Sequence, residues 1–403
     1  MKERRYDIDW LRVIAMLGVF ILHCTRFFDT EDFHLKATVS EQSEVWAITR
    51  SFFLWVWLME LFFLVSGFAT RYSLRRRSGG QYLLERVKRL LIPLYTVGMF
   101  ILVVPQAYFH RLTHSEITGT FWQWLPNYYR GLPGEVFSPP VALDPGFLVP
   151  YTFAGHLWFL QMLFLISLVA LPLLLYFKSD RGLRLIDRLA GWSARPGGIF
   201  IFVIPIAIVR VGLMWMPVTT ERTWGDFVWY ALFFLIGYII ASDGRFTESI
   251  KRHGWICLVL WIVLFLGVGS LLTFVLNYDT SADGPGFSML FVVWQVTWSL
   301  ISWSSVIFML SLGAKYLNFT NKLLAYSNEA VLPFYLFHQT IILIVGWFVL
   351  PWDINSVAKF LIIAVISFPL ILIFYEVFVR HIGFMRFLFG MTPKRKQSTA
   401  PRK

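Results

Sequence analysis

Arg12 and His23 are two ionisable residues in one apolar run near the N-terminus, DIDWLRVIAMLGVFILHCTRFF. Ionisable side chains are costly to bury in a bilayer, so each one is a candidate for function. Eleven residues separate Arg12 from His23, which is close to three helical turns, so both project from one face about 16 Å apart. An imidazole can accept a proton near neutral pH. The alternative is that Arg12 anchors the helix end and His23 satisfies a buried hydrogen bond.

Glu60 is the acidic residue of the second apolar run and precedes Arg71 by eleven residues. The same helical rise places its carboxylate at the depth of His23. There it would fix the tautomer of the imidazole and raise its basicity. A structural ion pair with Arg210 of the fifth run is the alternative. The adjacent Ser66-Gly67 pair is expected to allow close helix packing.

Two further histidines complete the set of candidate residues. His338 lies nine residues after Glu329 in the ninth apolar run, about 13 Å along a helix and close to the depth of His23. It would line the same cavity, or it is a hydrogen-bonded packing residue. His156 opens the fourth run in the sequence GHLWFLQ, which predicts a place at the outer mouth with Trp158 beside it.

The amino-acid composition of the chain indicates what kind of structure must hold these residues in place. Of the 403 residues, 57% are hydrophobic and only 15% are charged, and 40 are Phe, 18 Trp and 16 Tyr. This excludes a water-soluble globular enzyme, a disordered chain and a disulfide scaffold, and it indicates a polytopic membrane protein. The two cysteines, Cys24 and Cys257, lie in or beside apolar runs and imply no disulfide framework.

Ten runs are long enough to cross a bilayer as helices, so the predicted fold is an all-α transmembrane helix bundle. They are 8–28, 46–70, 91–109, 155–177, 198–216, 226–242, 255–276, 288–312, 329–350 and 357–380.

The distribution of Lys and Arg predicts the orientation of this bundle. With the N-terminus inside, 26 Lys and Arg residues fall in inner segments and four in outer loops. This bias predicts that both termini are cytoplasmic. It also explains the net charge of +12 by contacts with the lipid bilayer, without a nucleic-acid partner. Residues 1–380 form the predicted transmembrane domain and 381–403 a basic cytoplasmic tail.

The residue types in the predicted inner segment 71–90 are suited to binding phosphate, and those in the predicted outer loop 110–154 are suited to binding sugar. The first holds seven basic residues, among them Arg86, Lys88 and Arg89, and arginine is suited to phosphate. Positive-inside anchoring is the alternative. The second is rich in aromatic side chains such as Trp122 and Trp124, on which sugar rings stack, although an interfacial aromatic belt has the same composition.

These motifs together resemble acyltransferase family 3, membrane proteins that O-acylate surface and secreted glycans. The resemblance covers most of the chain and rests on DWLR at 9–12, ELFFLVSGF at 60–68, RVKR at 86–89, HLWFL at 156–160 and LFH at 336–338. Within the family it looks most like the glucan biosynthesis C-type branch, which decorates periplasmic glucans, often with succinyl groups. The resemblance implies that His23 is the catalytic base.

The resemblance also implies contacts with the acyl donor at Arg12, Arg86 and Arg89, with Lys88 beside them. Acyl-coenzyme A would be the co-substrate at the inner face of a bacterial cytoplasmic membrane. Its pantetheine arm would reach His23, and a glycan hydroxyl would approach from outside. We expect no permanently bound cofactor and no metal site.

The sequence leaves the reaction path and the oxyanion donor open. Direct transfer and an acyl-histidine intermediate are both compatible with the sequence. His338 or Arg210 would supply the oxyanion donor, and His156, Trp158 and Arg210 are the predicted contacts for the acceptor substrate. The acyl group, the acceptor glycan and the oligomeric state, including a homo-oligomer, are not specified.

The competing class is a transporter or flippase for a lipid-linked sugar or an acyl group. It would also use a basic inner mouth and buried polar residues. A transporter has no need for an imidazole in line with a phosphate-binding arginine, so His23 distinguishes the two classes. A structural scaffold is the third alternative, and the cost of burying Arg12, His23, Glu60 and Arg210 argues against it.

Overall fold

The computed structural model describes residues 4–114, 116–136, 155–213, 224–271 and 288–392, and these ranges contain helices and no strands. The α-helices, numbered in chain order, are α1 Tyr6–Thr25, α2 Glu44–Arg50, α3 Leu58–Arg76, α4 Gly79–Arg86, α5 Val104–Thr113, α6 Phe121–Val136, α7 Trp158–Val169, α8 Leu171–Tyr176, α9 Asp180–Ser193, α10 Val203–Leu213, α11 Trp224–Ile240, α12 Gly244–Val263, α13 Met289–Tyr316, α14 Lys322–Val349, α15 Ser356–Phe374 and α16 Gly383–Leu388. The shorter helical segments are Val39–Glu41, Gly155–Leu157 and Gly198–Phe202 with 3-10 geometry, and Ser51–Trp55, Val87–Leu91, Leu94–Leu102, Leu264–Gly269 and Tyr375–Arg380 with π geometry.

Six of the described helices are long and apolar enough to cross a membrane, or seven if one bent pair counts as a single span. Three shorter apolar helices, Gly155–Val169, Gly198–Leu213 and Trp224–Ile240, match the fourth, fifth and sixth predicted runs. Each of the ten predicted runs therefore has a helical counterpart in a multi-pass membrane protein. The number of crossings and the side of the termini remain predictions.

The bent pair is the third predicted run, which is not one straight helix. Gly79–Leu102 and Val104–Thr113 meet at an angle of 48°. Pro105 lies in the first turn of α5, and proline lacks the N–H that would continue the hydrogen bonds of the preceding helix. Beyond the bend, α5 contributes Gln106, Ala107 and His110 to the lining of a cavity described below.

α1 lies inside the bundle, where it packs against α3, α13 and α14. α3 also crosses α11 at very short range. A Cβ atom built on Gly67 would lie 1.8 Å from the carbonyl oxygen of Phe234, and one on Gly237 would lie 1.9 Å from that of Leu64. Only glycine allows two helix backbones to approach this closely. The close packing predicted at Gly67 is confirmed, and it fixes α3 against α11.

Candidate active site

Three cavities follow α1 from one end of the bundle to the other. The loop-side cavity, about 550 Å³, is bounded by the chain after α1, including Arg26 and Glu31. The middle cavity, about 600 Å³, is lined by Arg12 and Tyr335, and the basic cavity, about 830 Å³, by Arg75 and its neighbours. The loop-side and middle cavities share Val19, His23, Met59, His156 and Trp158. The middle and basic cavities share Arg4, Arg12, Ser66, Arg86 and Arg89.

His23 lies where the loop-side and middle cavities meet. Its Nδ1 is buried and has no hydrogen-bond partner in the described chain. Arg12 lines the middle cavity on the same helix, so the predicted common face of Arg12 and His23 is present in the structure. The imidazole of His23 therefore lines both cavities, with its Nδ1 free of a hydrogen-bond partner among the described residues.

His338 on α14 comes close to His23, with ring centroids 5.0 Å apart. Its Nδ1 lies 2.6 Å from the carbonyl oxygen of Tyr335 and must carry the hydrogen. Its Nε2 then holds a lone pair, and this buried atom has no partner. A neutral imidazole in this tautomer accepts at Nε2 and cannot donate there. The predicted role of His338 as an oxyanion donor is therefore wrong for the neutral side chain.

His156 is buried at this junction, and the predicted place at the outer mouth is wrong. Its Nε2 lies 3.2 Å from the carbonyl oxygens of both Tyr335 and Leu336, and its Nδ1 accepts from the amide of Gln106 at 3.0 Å. Tyr335 also donates its hydroxyl to the backbone carbonyl of His156. Both nitrogens are occupied, so His156 holds the turn of α14 that carries His338. The reason is the 3-10 turn Gly155–Leu157, which inserts the histidine into the bundle.

Trp158 forms part of the wall between the two cavities. Its ring centroid lies 5.7 Å from that of Tyr230 and 6.4 Å from that of Phe63. A rigid aromatic side chain at this position shapes the passage beside His23. The predicted contact of Trp158 with an acceptor substrate stays a prediction.

Glu60 does not orient His23, and this expectation requires correction. Its Oε1 accepts a hydrogen bond from Trp229 Nε1 at 3.2 Å, and its Oε2 has no partner in the described chain. The preceding residue, Met59, lines both cavities, whereas Glu60 lines none of the three. Adjacent helical residues point about 100° apart. Glu60 therefore faces α11 and not the cavities, and the depth predicted for it stays a prediction.

Arg210 also lies away from the histidines, so its predicted roles as oxyanion donor and substrate contact are not supported by its position. Its Nε donates to Gln295 Oε1 at 2.7 Å. Its guanidinium lies over the rings of Trp229 and Trp298, at 4.8 and 5.7 Å from their centroids. Trp229 thus contacts both Arg210 and Glu60, and the three form a polar cluster between α3, α10 and α11 in which Glu60 and Trp229 are buried and Arg210 is partly buried.

Arg86 and Arg89 line both the middle and the basic cavity, as the sequence predicted for a phosphate-binding pair. Arg86 donates to the hydroxyl of Thr70 at 2.7 Å and lies over the ring of Tyr82 at 5.0 Å. Arg89 is half-exposed, and its nearest carboxylate oxygen on Glu85 is 3.9 Å away. Both guanidinium groups therefore keep donors available to the cavities.

Lys88 was predicted beside these arginines, but it is exposed and lines none of the three cavities. The reason is helical phase. Lys88 is two residues after Arg86 and so lies about half a helical turn away, whereas Arg89 is closer to a full turn from Arg86.

Arg12 is held at the base of the middle cavity. Its Nη2 lies 2.5 Å from Asn328 Oδ1 and 3.2 Å from Asp9 Oδ1, and its buried Nε has no partner in the described chain. Asn328 carries no signal in the sequence that would have selected it. The pairing fixes α1 against the beginning of α14.

Part of the predicted cytoplasmic tail contributes to the middle cavity. Arg386 of α16 donates to Glu329 at 2.7 Å, and both residues line the cavity together with 390–392. Sequence reasoning missed this pair, because residues 57 positions apart give no local pattern. Residues 393–403 of the tail lie outside the described residues.

The loop after α1 is fixed by a buried charge cluster. Asp29 is fully buried and lies 2.8 Å from Lys36 Nζ, 3.0 Å from Arg50 and 3.2 Å from Arg26. Glu31 joins it through Arg50 Nη2 at 2.6 Å. Burial alone would raise the pKa of Glu31, but Arg50 and Arg26 outweigh it and hold that pKa below its usual value. The loop is thus a rigid border of the loop-side cavity.

The predicted outer loop 110–154 is described only in part. Tyr128 and Tyr129 donate their hydroxyls to the carbonyl oxygens of Met99 and Phe100 at 3.1 and 2.7 Å. These two rings therefore pack α6 against the neighbouring helix, while Trp122 remains 76% exposed. The aromatic residues at 137, 147 and 151 and Asp144 lie outside the described residues.

Residues 5–376 match the family described as Acyltransferase domain, in acyltransferase family 3. The chain is also similar to proteins named Glucans biosynthesis protein C. The one from Salmonella schwarzengrund is 25% identical over 98% of this chain and 97% of its own length. The one from Salmonella heidelberg is 24% identical over the same shares. No solved structure matched significantly. Because the match spans nearly the whole chain, this protein belongs to acyltransferase family 3, the integral-membrane O-acyltransferases.

Proposed function

We propose that this enzyme moves an acyl group from acyl-coenzyme A at the basic end of the bundle to a hydroxyl of an extracytoplasmic glucan. The observation that carries the proposal is the meeting of two cavities at His23. A donor and an acceptor can each reach this imidazole from its own end. The names of the similar proteins support glucan as the acceptor class.

The basic end suits the nucleotide part of the donor. Arg4, Arg12, Arg86 and Arg89 line the two cavities there, and planar guanidinium groups bind phosphate through paired hydrogen bonds. The excess of Lys and Arg in segments on this side favours a cytoplasmic location, where acyl-coenzyme A is made. The pantetheine arm would extend along α1, over about 16 Å, and bring the thioester to His23.

The chemistry needs one base at the junction. His23 removes the proton of the acceptor hydroxyl as its oxygen attacks the thioester carbonyl carbon. The C–S bond then breaks, the ester remains on the glucan, and the coenzyme A thiolate takes up the proton from His23. A positioned general base of this kind contributes about 10²–10⁴-fold to the rate. The ring centroid of His338 lies 5.0 Å from that of His23, and its unpartnered Nε2 could accept a hydrogen bond from the acceptor substrate.

Mass spectrometry of periplasmic glucans tests the proposal. A deletion strain carrying the wild-type gene should yield acylated glucans, and the same strain carrying His23→Ala should yield unmodified ones at equal protein level. Purified protein with acyl-coenzyme A and glucan should release free coenzyme A in proportion to ester formed. Unmodified glucans in the wild-type strain, or ester formation without release of coenzyme A, would contradict it.

A further inference from the structure

Three potential metal ligands from separate parts of the chain meet at the edge of the loop-side cavity. They are Asp32, His110 and His114, and one ligand atom from each lies within 4.8 Å of the other two. Asp32 belongs to the loop after α1, His110 to the last turn of α5, and His114 follows that helix directly. Asp32 and His110 also line the loop-side cavity.

The two histidines have the spacing of a helical metal site. They occur as HRLTH, four residues apart, so their side chains share one helix face. Their ring centroids are 4.2 Å apart. A pair of histidines at this spacing binds zinc when the fold supplies a third ligand. Here the third ligand, Asp32, comes from a distant part of the sequence.

His114 is oriented as a ligand. Its Nδ1 lies 2.7 Å from the carbonyl oxygen of His110 and donates its hydrogen there. Its Nε2 then faces Asp32 Oδ1 at 3.0 Å. A nitrogen lone pair and a carboxylate oxygen repel each other at this distance unless a cation lies between them, either a proton or a metal ion. Metal-bound histidines are commonly oriented by such an N–H to a backbone carbonyl.

We propose that Asp32, His110 and His114 bind one divalent metal ion of the zinc class. Two imidazoles and one carboxylate are a ligand set that zinc accepts, with a fourth position for water, whereas magnesium and calcium prefer oxygen alone. Ligands about 2.0–2.2 Å from a tetrahedral ion lie about 3.3–3.6 Å apart, so ligand atoms that are within 4.8 Å of one another must close by about 1 Å through side-chain rotation when the ion binds. The ion would tie the loop after α1 to α5 across the edge of the loop-side cavity. This inference does not depend on the proposed acyl transfer.

Zinc titration of the full-length protein tests the site. Protein without a histidine tag is purified in detergent, stripped with a chelator and titrated with Zn²⁺ in a calorimeter. We expect one ion per chain. His110→Ala and His114→Ala should each weaken binding by about 10–100-fold or more, which is the cost of losing even an outer partner of a metal ligand. His381→Ala, at an exposed histidine near the end of the described chain, is the matched control and should bind as the wild type does.

A second measurement covers the case in which an alanine variant fails to accumulate. Asp32→Asn preserves the shape of the side chain and should also weaken Zn²⁺ binding. Co²⁺ bound to the wild type should give visible absorption bands that Asp32→Asn and His114→Ala lose. Unchanged Zn²⁺ affinity and stoichiometry in Asp32→Asn, or wild-type binding no tighter than that of His114→Ala, would overturn the proposal.

Discussion

His23 and His338 face each other from α1 and α14 with ring centroids 5.0 Å apart, and each has a buried nitrogen without a hydrogen-bond partner. Buried polar atoms are normally paired. Two unpaired imidazole nitrogens at one point, beside a junction of two cavities, therefore mark the place where substrate groups would complete the hydrogen bonding.

Replacement of His23 by Ala should abolish acyl transfer while the protein still inserts. We expect a loss of about 10²–10⁴-fold, the contribution of one general base. Binding of acyl-coenzyme A should survive, because Arg12 lies about 16 Å from His23 along α1 and Arg86 and Arg89 are on other helical segments. The measurement is transfer to supplied glucan at normalised protein level, with His381→Ala as the control. Near-normal turnover in His23→Ala would remove His23 from the mechanism.

Two substitutions of His338 should distinguish the structural role of its Nδ1 from a role of its Nε2 in the reaction. Asn can donate to the carbonyl of Tyr335 in place of Nδ1 but offers no acceptor at the position of Nε2. His338→Asn should therefore keep the thermal stability and lose activity. His338→Phe should lose both, since the carbonyl loses one donor. Melting curves and transfer rates check this, and equal activity in wild type and His338→Asn would show that Nε2 has no part in the reaction.

Donor binding should depend on Arg86 and Arg89 and not on Lys88. The double variant Arg86→Ala/Arg89→Ala removes two guanidinium groups from the lining of the middle and basic cavities, so the Kd for acyl-coenzyme A should rise. Lys88→Ala is the matched control, because this side chain lines neither cavity. Added salt should weaken donor binding in the wild type more than in the double variant. Equal affinity for the donor in all three proteins would exclude the arginines from the site.

Glu60→Gln should affect stability more than activity. Gln can still accept the hydrogen bond from Trp229, but it removes one of the two negative charges that attract Arg210. Because Asp226 still attracts the guanidinium, we expect the substitution to destabilise the protein by about 1–2 kcal/mol. The transfer rate at equal folded protein should stay well above that of His23→Ala. A rate as low as that of His23→Ala, with an unchanged melting temperature, would place Glu60 in the catalytic machinery.

The Glu41–Lys359 ion pair should make the stability depend on acid pH. Burial would raise the pKa of Glu41, but Lys359, 2.6 Å away, and Thr38 hold it below its ordinary value of 4.5. The pair therefore stabilises the fold above that pH, and the contribution is lost as the pH falls through the lowered pKa. Melting temperatures from pH 6 downward should fall less steeply in Glu41→Gln than in the wild type. Glu248→Gln, at an exposed carboxylate, should keep the wild-type slope.

Helix periodicity carried the sequence-based predictions that the structure supports. It placed Arg12 and His23 on one face, whereas Arg86 was selected by the basic composition of 71–90 and by the family resemblance. The same arithmetic predicted the depth of Glu60 but not its direction, which depends on how α3 is rotated beside α11. Lys88 was grouped with Arg86 by proximity in the sequence, although two helical residues at that spacing point apart.

Long-range pairing accounts for what the sequence did not reveal. The ion pair of Arg386 with Glu329 and the hydrogen bond of Arg12 with Asn328 join residues that are far apart in the chain. The hydrogen bonds of His156 follow from a 3-10 turn whose position no periodic pattern indicates. Such contacts arise only when α14 is packed against α1 and the chain before α7.

The junction at His23 also has an electrical consequence. Moving one elementary charge across a potential of 100 mV changes its energy by about 2.3 kcal/mol. If the phosphates of the donor remain among Arg12, Arg86 and Arg89, an acetyl group would move along α1 without charge, whereas a succinyl group would carry one carboxylate. Transfer of acetyl would then be silent to voltage, and its rate in proteoliposomes would not follow an imposed potential, whereas the rate of succinyl transfer would. A carrier of charged sugar donors, by contrast, would work against the field at every cycle.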